Sequence, residues 1–134
     1  MPTFSDISWA RLQDCDHRLI SIMNEVILFT DFSILCGYRD EEAQEKAVDD
    51  GYSMLHFPNS PHNVKPSKAV DIAPYHMIYP HIRWHDREAF HRLAGAVMYE
   101  AHLQNVKLRW GGDWQKLQDL PHFEIVEDHH DDVI

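Results

Sequence analysis

Apolar residues recur at three- and four-residue steps over residues 8–29, at Trp9, Leu12, Leu19, Ile22, Met23 and Val26. This period predicts one long amphipathic helix, capped by Ser8, with Asp14 and Asp16 interrupting only its solvent side. Alternation over Asp31–Cys36, stopped by Gly37, predicts a short strand. Asp40, Glu41 and Glu42 place three acids at the positive end of a helix dipole, so a helix is expected to about Asp50, closed by Gly51. Residues 51–67 hold a glycine, three prolines and several Ser and Asn, the composition of an irregular connection. A strand follows at Lys68–Ala73, stopped by Pro74. After a Pro- and His-rich turn, Phe90, Leu93, Ala94, Val97, Met98 and Ala101 mark the buried stripe of a helix over Asp86–Leu103. Val106–Trp110 and His122–Val126 read as two more strands. Strands and helices mix without a regular βαβ period, so the expected class is α+β.

Length and charge narrow the picture. The chain has 134 residues, with 12 Lys and Arg against 22 Asp and Glu, a formal charge of −10. That balance argues against a nucleic-acid binder that works by neutralising phosphates. A hydrophobic content of 44% is adequate for one core and too high for a disordered acidic tail. One domain over residues 1–126 is expected, followed by a polar acidic tail over residues 127–134. Asp6, Asp14 and Asp16 stand where a secretory signal would need a basic and then an apolar stretch, so synthesis in the cytoplasm is expected. No membrane span is expected, because Val26–Phe29 is flanked by Glu25 and Asp31. Cys15 and Cys36 match no paired-cysteine pattern and read as free, buried thiols.

Eleven histidines remain to be explained. His62 and Asp71 bracket the end of the irregular stretch, and Asp71 sits inside Ala69-Val70-Asp71-Ile72-Ala73. A carboxylate among four small or apolar strand residues is costly to bury unless it is paired or bound to a cation. A second group is Asp119-Leu120-Pro121-His122-Phe123-Glu124, where Pro121 stiffens the approach to a strand that begins at His122. Two imidazoles and one carboxylate suit zinc, and three protein ligands leave a position for water, the catalytic arrangement. Zinc lowers the pKa of such a water towards roughly 7. Asp119, three residues before His122, is placed to take and return its proton. Arg39, just beyond the first strand, is a fixed cation suited to a developing oxyanion. On residues alone, a catalytic metal site and a set of satisfied structural histidines both stand.

Four motifs in order carry a resemblance. Gly37-Tyr38-Arg39 with Gln44, Ser60-Pro61-His62 through Ala69-Val70-Asp71, Trp110-Gly111-Gly112-Asp113-Trp114, and Asp119 to Glu124 together resemble the zinc D-Ala-D-Ala carboxypeptidase family. That family includes the vancomycin-resistance dipeptidases and the phage L-alanyl-D-glutamate endolysins, and the match is closest to the short phage-type peptidases. It spans roughly residues 17–126. The resemblance implies the hedgehog/DD-peptidase fold, a small antiparallel sheet with flanking helices that carries the metal site. It implies zinc on His62, Asp71 and His122, with Asp119 as the catalytic acid/base. It places the family's strand-end arginine at Arg39, a catalytic and substrate-binding residue, and the serine of its Ser-x-His motif at Ser60, a substrate contact. Two departures are visible. Eight residues, Asn63 to Val70, separate His62 from Asp71 where the common pattern has six, and they contain no glycine. The acid/base is Asp, as in the endopeptidase branch, where the dipeptidase branch has Glu.

The implied activity is hydrolysis of an amide in the peptidoglycan stem peptide, L-Ala-D-Glu above others, by a phage lysis enzyme. The implied partner is the wall's stem peptide, met by a single copy of the chain after holin-type release, with no nucleic acid or membrane involved. Two alternatives stay open: a D-Ala-D-Ala dipeptidase or carboxypeptidase, and a non-catalytic wall-binding module on the same fold. Glu124 shares the strand face of His122 and is placed to orient it. Gly111-Gly112 is read as a turn that needs positive φ. Trp110, Trp114, Phe123 and Tyr38 are read as core or pocket wall. His76, His81, His85 and His91 fall around the turn before the last helix, either solvated or lining the cleft. His129-His130 sits in the acidic tail.

Overall fold

Each apolar stretch marked by periodicity forms an element, but the first one breaks in two. The computed structural model describes residues 2–127. It contains α1 (Asp6–Gln13), α2 (His17–Val26), β1 (Phe32–Cys36), α3 (Glu41–Asp49), β2 (Ala69–Pro74), α4 (Arg87–Leu103), β3 (Leu108–Trp110) and β4 (His122–Ile125). Short 3₁₀ turns occur at Pro61–Asn63 and Gly111–Asp113. The four strands form one antiparallel sheet in the order β1-β2-β4-β3, so the fold is α+β as expected.

The expected single helix over residues 8–29 is corrected to α1 and α2, and the break has a clear cause. Asp16 is not on a solvent face. It is buried, its side chain caps α2 by accepting from the Arg18 N–H at 2.9 Å, and its own N–H donates to Ser67 O at 2.8 Å. A side chain that caps a new helix start competes with helix continuation at that point. The cap of α1 is Ser5 rather than Ser8. Ser8 is buried, and its hydroxyl oxygen accepts the Ile34 N–H at 2.9 Å, which ties α1 to β1. Trp9, expected on the buried stripe, is 45% exposed and packs beside Phe4. The remaining stripe is sound: Leu12, Leu19, Ile22, Met23 and Val26 are all buried.

Strand alternation separates two faces of the sheet. Val70, Ile72, Phe123 and Ile125 enter the core with Leu19, Ile22, Met23, Leu93 and Val97. Each fully buried aliphatic or aromatic side chain stabilises by roughly 1.5–3 kcal/mol relative to exposure. The opposite parity in β2 and β4 puts Asp71, His122 and Glu124 on the other face. The α4 stripe is buried as expected at Phe90, Leu93, Ala94, Val97 and Ala101, with Met98 packed at its edge.

Asp40 caps α3, and Gly51 closes it at φ +82°, where a side chain would be strained. Gly111 and Gly112 do not have positive φ, so their expected role is corrected. They permit close approach instead. A Cβ on Gly111 would lie 2.3 Å from Asp119 O, and one on Gly112 would lie 2.2 Å from the Trp110 ring. Glu127, expected to begin a solvated tail, is ion-paired to Arg18 at 2.9 Å and to Lys68 at 3.3 Å. Residues 128–134, including His129-His130, lie outside the described residues. Among the described residues no helix is long and apolar enough to cross a membrane.

Candidate active site

The sheet register assembles the site. Asp71 of β2 is paired directly with His122 of β4, and Cys36 of β1 lies on the other side of Asp71 across a bulge. The side chains therefore meet although 51 residues separate Asp71 from His122. His62 arrives from the 3₁₀ turn at Pro61–Asn63, which Ser60 caps by accepting the His62 N–H at 3.2 Å. The long run from Asn63 to Val70 travels out to the α1–α2 junction and back. Ser67 forms an isolated parallel bridge with Cys15 on the way, and its N–H donates to Asp14 O.

Asp71 stands between the two imidazoles. Asp71 Oδ1 lies 3.3 Å from His62 Nε2 and 3.1 Å from His122 Nδ1. The far nitrogen of each imidazole is already engaged. His62 Nδ1 meets Gly37 O at 2.7 Å, and His122 Nε2 meets Glu124 Oε1 at 2.7 Å. In a neutral ring whose outer nitrogen donates to its oxygen, the inner nitrogen keeps the lone pair that a cation needs; without a cation, His122 Nδ1 meets Asp71 Oδ1 at 3.1 Å. His62 Nε2 is buried and has no hydrogen-bond partner. A buried orphan nitrogen 3.3 Å from a carboxylate oxygen is a donor that a cation would satisfy. Asp71, Asp119 and His122 offer ligand atoms within 4.8 Å of one another, as do Cys36, His62 and Asp71.

Electrostatics follow the same arrangement. Burial by itself would push the two imidazoles toward neutrality, but the Asp71 charge at His62, and the Asp71 and Glu124 hydrogen bonds at His122, outweigh that and raise both. The same contacts hold the Asp71 carboxyl well below the usual carboxylate range despite its burial. Protons drawn onto this cluster occupy the place that a cation would take. Asp119 is pushed up to about 6, first by burial and then by the Asp71 charge. A carboxyl near neutrality beside a cation site is suited to accepting and returning a proton.

Arg39 is brought into the site, though not as a surface partner of Asp40 or Glu42. Its guanidinium donates to Asp71 Oδ2 at 3.1 Å and to Gln44 Oε1 at 3.1 Å. Gln44 is fully buried and joins four segments. Its amide nitrogen donates to Leu55 O at 2.7 Å and Ser53 Oγ at 3.0 Å, while its oxygen accepts from Arg39 and Asn63. Periodicity places a polar residue on the solvent side of α3, so only the motif hinted at this role. Cys36 was also missed as a site neighbour. Its Sγ lies 4.0 Å from His62 Nδ1, on the ring edge already bonded to Gly37 O. The signal that finds it is the pairing of β1 with β2, which no local pattern contains. Cys15 and Cys36 are free, as expected, with Cys15 buried and Cys36 half-buried.

Two cavities meet at the Arg39–Asp119 line. One, of about 210 Å³, is lined by Ser60, His62, Trp114, Lys116 and His122; the Trp114 ring packs 4.9 Å from the His122 ring. The other, of about 730 Å³, is lined by Leu35, Cys36, Asp71, Trp84 and Pro121. Arg39, Tyr52 and Asp119 border both, so the donor cluster lies on the floor of a cleft that continues on either side. All five candidate residues from the sequence, together with the Ser60 cap, are therefore in one place. Trp110 and Phe123 belong to the core, and Tyr38 lies under the Lys65 ammonium. His76 and His81 of the turn before α4, and His91 within α4, do not join the donor cluster. His81 stacks on Tyr75, His91 packs edge-on to Trp110, and His76 lies 4.0 Å from Asp86.

Known proteins show the same arrangement of chain. The L-alanyl-D-glutamate peptidase of Escherichia phage T5 is 33% identical over 101 residues, which cover 75% of this chain and 71% of that protein. The crystal structure of the Serratia marcescens L-Ala D-Glu endopeptidase ChiX superposes with a TM-score of 0.77 at 26% identity, covering 92% of this chain and 89% of that one. The family model of phage L-alanyl-D-glutamate peptidases matches residues 2–132. With nearly the whole chain matched, and with the donor cluster lying on the floor of a two-sided cleft, the protein belongs to the phage L-alanyl-D-glutamate peptidase family.

Proposed function

We propose that this chain is a zinc peptidase that hydrolyses the L-Ala-D-Glu amide of the peptidoglycan stem peptide. The reading rests on the buried, unpartnered Nε2 of His62, which lies 3.3 Å from Asp71 Oδ1 where two cavities share Arg39, Tyr52 and Asp119. A cleft that continues past the site in two directions suits an amide with substrate on either side. A carboxypeptidase needs room on one side only, so the D-Ala-D-Ala activity is the less fitting use of this shape.

His62 Nε2, Asp71 Oδ1 and His122 Nδ1 would hold the ion, and a two-nitrogen, one-carboxylate set suits zinc. When bound, zinc supplies Lewis acidity towards a carbonyl oxygen and acidifies water. Gly37 O and Glu124 hold the two imidazoles in the required tautomers. Asp119 takes the proton from the attacking water and returns it to the departing D-Glu nitrogen. Arg39 fixes Asp71 through its outer oxygen and brings positive charge to the line where the two cavities meet, where a carbonyl oxygen gains charge. Ser60 sets the His62 backbone and borders the cavity that receives substrate. In this reading a single copy of the enzyme is made in the host cytoplasm, reaches the wall after holin-type release, and needs neither nucleic acid nor membrane.

Mass spectrometry of muropeptides from purified wall, with and without a chelator, tests the assignment. Products with a new D-Glu amino terminus are expected, and they disappear when metal is removed. Asp119→Asn is expected to keep its metal and lose about 10²- to 10⁴-fold in kcat. Undiminished cleavage by His122→Ala would overturn the metal mechanism, and free D-alanine as the first product would overturn the bond assignment.

A further inference from the structure

The Pro- and His-rich turn between β2 and α4 has no part in the chemistry above, yet it exposes four large apolar side chains. Met77 is 90% exposed, Tyr79 82%, Ile78 74% and Trp84 60%. The turn is held by its own bonds. The His76 N–H donates to His81 O at 2.8 Å, His81 Nδ1 meets His76 O at 2.8 Å, and the Arg83 guanidinium donates to Ile78 O at 3.2 Å. His81 stacks flat on Tyr75 at 4.9 Å, and Trp84 stacks on Phe90 at 6.0 Å. The aromatic groups are thus displayed by a braced segment. Trp84 also lines the larger cavity, together with Asp71 and Asp119, so the turn reaches the cleft through that ring.

We propose that this aromatic rim binds the glycan of peptidoglycan, specifically the N-acetylated amino sugar that bears the stem peptide. The inference rests on the L-Ala-D-Glu reading. In that substrate the L-Ala nitrogen is acylated by the lactyl group of the sugar, so the ring begins only about two extended units, roughly 7 Å, from the scissile carbonyl. Whichever cavity takes the acyl half must have a sugar at its mouth. The larger cavity is lined by Trp84 with apolar Leu35, Ala47 and Pro121, surfaces that suit an alanine methyl and a sugar face. Arg39 borders both cavities, but only the smaller one adds Lys116, a second cation that suits the free carboxylate of D-Glu. The geometry therefore sets a direction: sugar and L-Ala on the Trp84 side, D-Glu on the Lys116 side.

Kinetics on two substrates test it: an N-acetylmuramyl tripeptide, and the same tripeptide with an acetyl group in place of the sugar. The zinc-loaded wild-type enzyme is expected to have the lower KM for the sugar-bearing substrate. Trp84→Ala is expected to raise that KM about five- to tenfold relative to the KM for the sugar-free peptide, while Trp84→Phe keeps most of the preference. Wild-type enzyme that cleaves both substrates with equal KM overturns the proposal alone, as does a variant that shifts both KM values equally or neither. Cleavage of neither substrate by the wild type overturns the bond assignment and the glycan site together. A dimer in sedimentation that Trp84→Ala and Tyr79→Ala dissolve would put a second copy, and not a glycan, on this face.

Discussion

Replacing Asp16 probes the junction that divides the first helical stretch and anchors the long loop to His62. Its side chain is 5% exposed, accepts from Arg18 Nε at 2.9 Å, from Lys68 Nζ at 2.7 Å and from the Arg18 backbone N–H at 2.9 Å. Asn is as good an N-cap as Asp, so Asp16→Asn isolates the charge and Asp16→Ala removes charge and cap together. The lost cap costs about 1 kcal/mol. Arg18 and Lys68 are each about one-third exposed, so stranding them costs well below the 3–5 kcal/mol of a fully buried pair, about 1–2 kcal/mol. The Ala variant should therefore lose about 2–3 kcal/mol, or about 10 °C in Tm for a domain of this length, and the Asn variant about half of that. The Arg18 hydrogen bond, with help from Lys68, holds the Asp16 carboxyl well below the usual range in the folded protein. The native state then binds fewer protons than the unfolded chain, so this stabilisation is complete above about pH 4 and drains away as the pH falls towards the native value. Thermal melts of metal-free protein from pH 7 down to pH 2 measure both effects. An Ala variant melting within about 1 °C of wild type at pH 7, or an Asn difference that fails to narrow in acid, would refute the account.

Glu124→Ala removes the oxygen that holds His122 Nε2 at 2.7 Å, and metal affinity measured by chelator competition should fall about 10- to 100-fold. Loading the donor cluster with metal should release protons, because Asp71 draws protons onto His62 and His122 in the metal-free protein. Isothermal titration in buffers of different ionisation enthalpy reads that number. Burial pushes the Cys15 thiol up to about 12, whereas His62 lowers that of half-buried Cys36, so a thiol reagent on folded, metal-free protein should label one cysteine, identified by peptide mapping as Cys36. Gly111→Ala sets a Cβ 2.3 Å from Asp119 O, so the segment bearing Asp119 must shift, with a loss in Tm and in kcat beyond that of an ordinary glycine substitution.

Most elements were legible along the chain because their signals are local. Heptad-like steps in α2 and α4, alternation in β1 and β2, and acids before α3 each depend on residues within a few positions of one another. The donor identities were legible for a related reason. A carboxylate inside Ala69–Ala73 has a desolvation cost that any fold must answer, and the answer is visible as a need before the partner is known. Asp16 shows the limit. It lies in a stretch whose periodicity continues across it, and only its bonds to Ser67, Lys68 and Arg18, from a loop brought back by the sheet, reveal why the helix stops there.

The sequence by itself determined the α+β class, the order of the elements and the residue types offered to a cation, since these follow from side-chain period and chemistry. Tertiary structure decided which nitrogens face inward. The Asp71–His122 register and the two outer acceptors, Gly37 O and Glu124, select the lone pairs, and none of these contacts is encoded by spacing. It also decided why Gly111 and Gly112 are glycines, through close approach of Asp119 and Trp110 rather than through a backbone angle. The two cavities beside the donors draw their walls from α3, the loops before β2 and β4, and the turn before α4. Local patterns report what a segment prefers. The site depends on what distant segments do to one another once the shared core on the opposite face of the sheet has drawn them together.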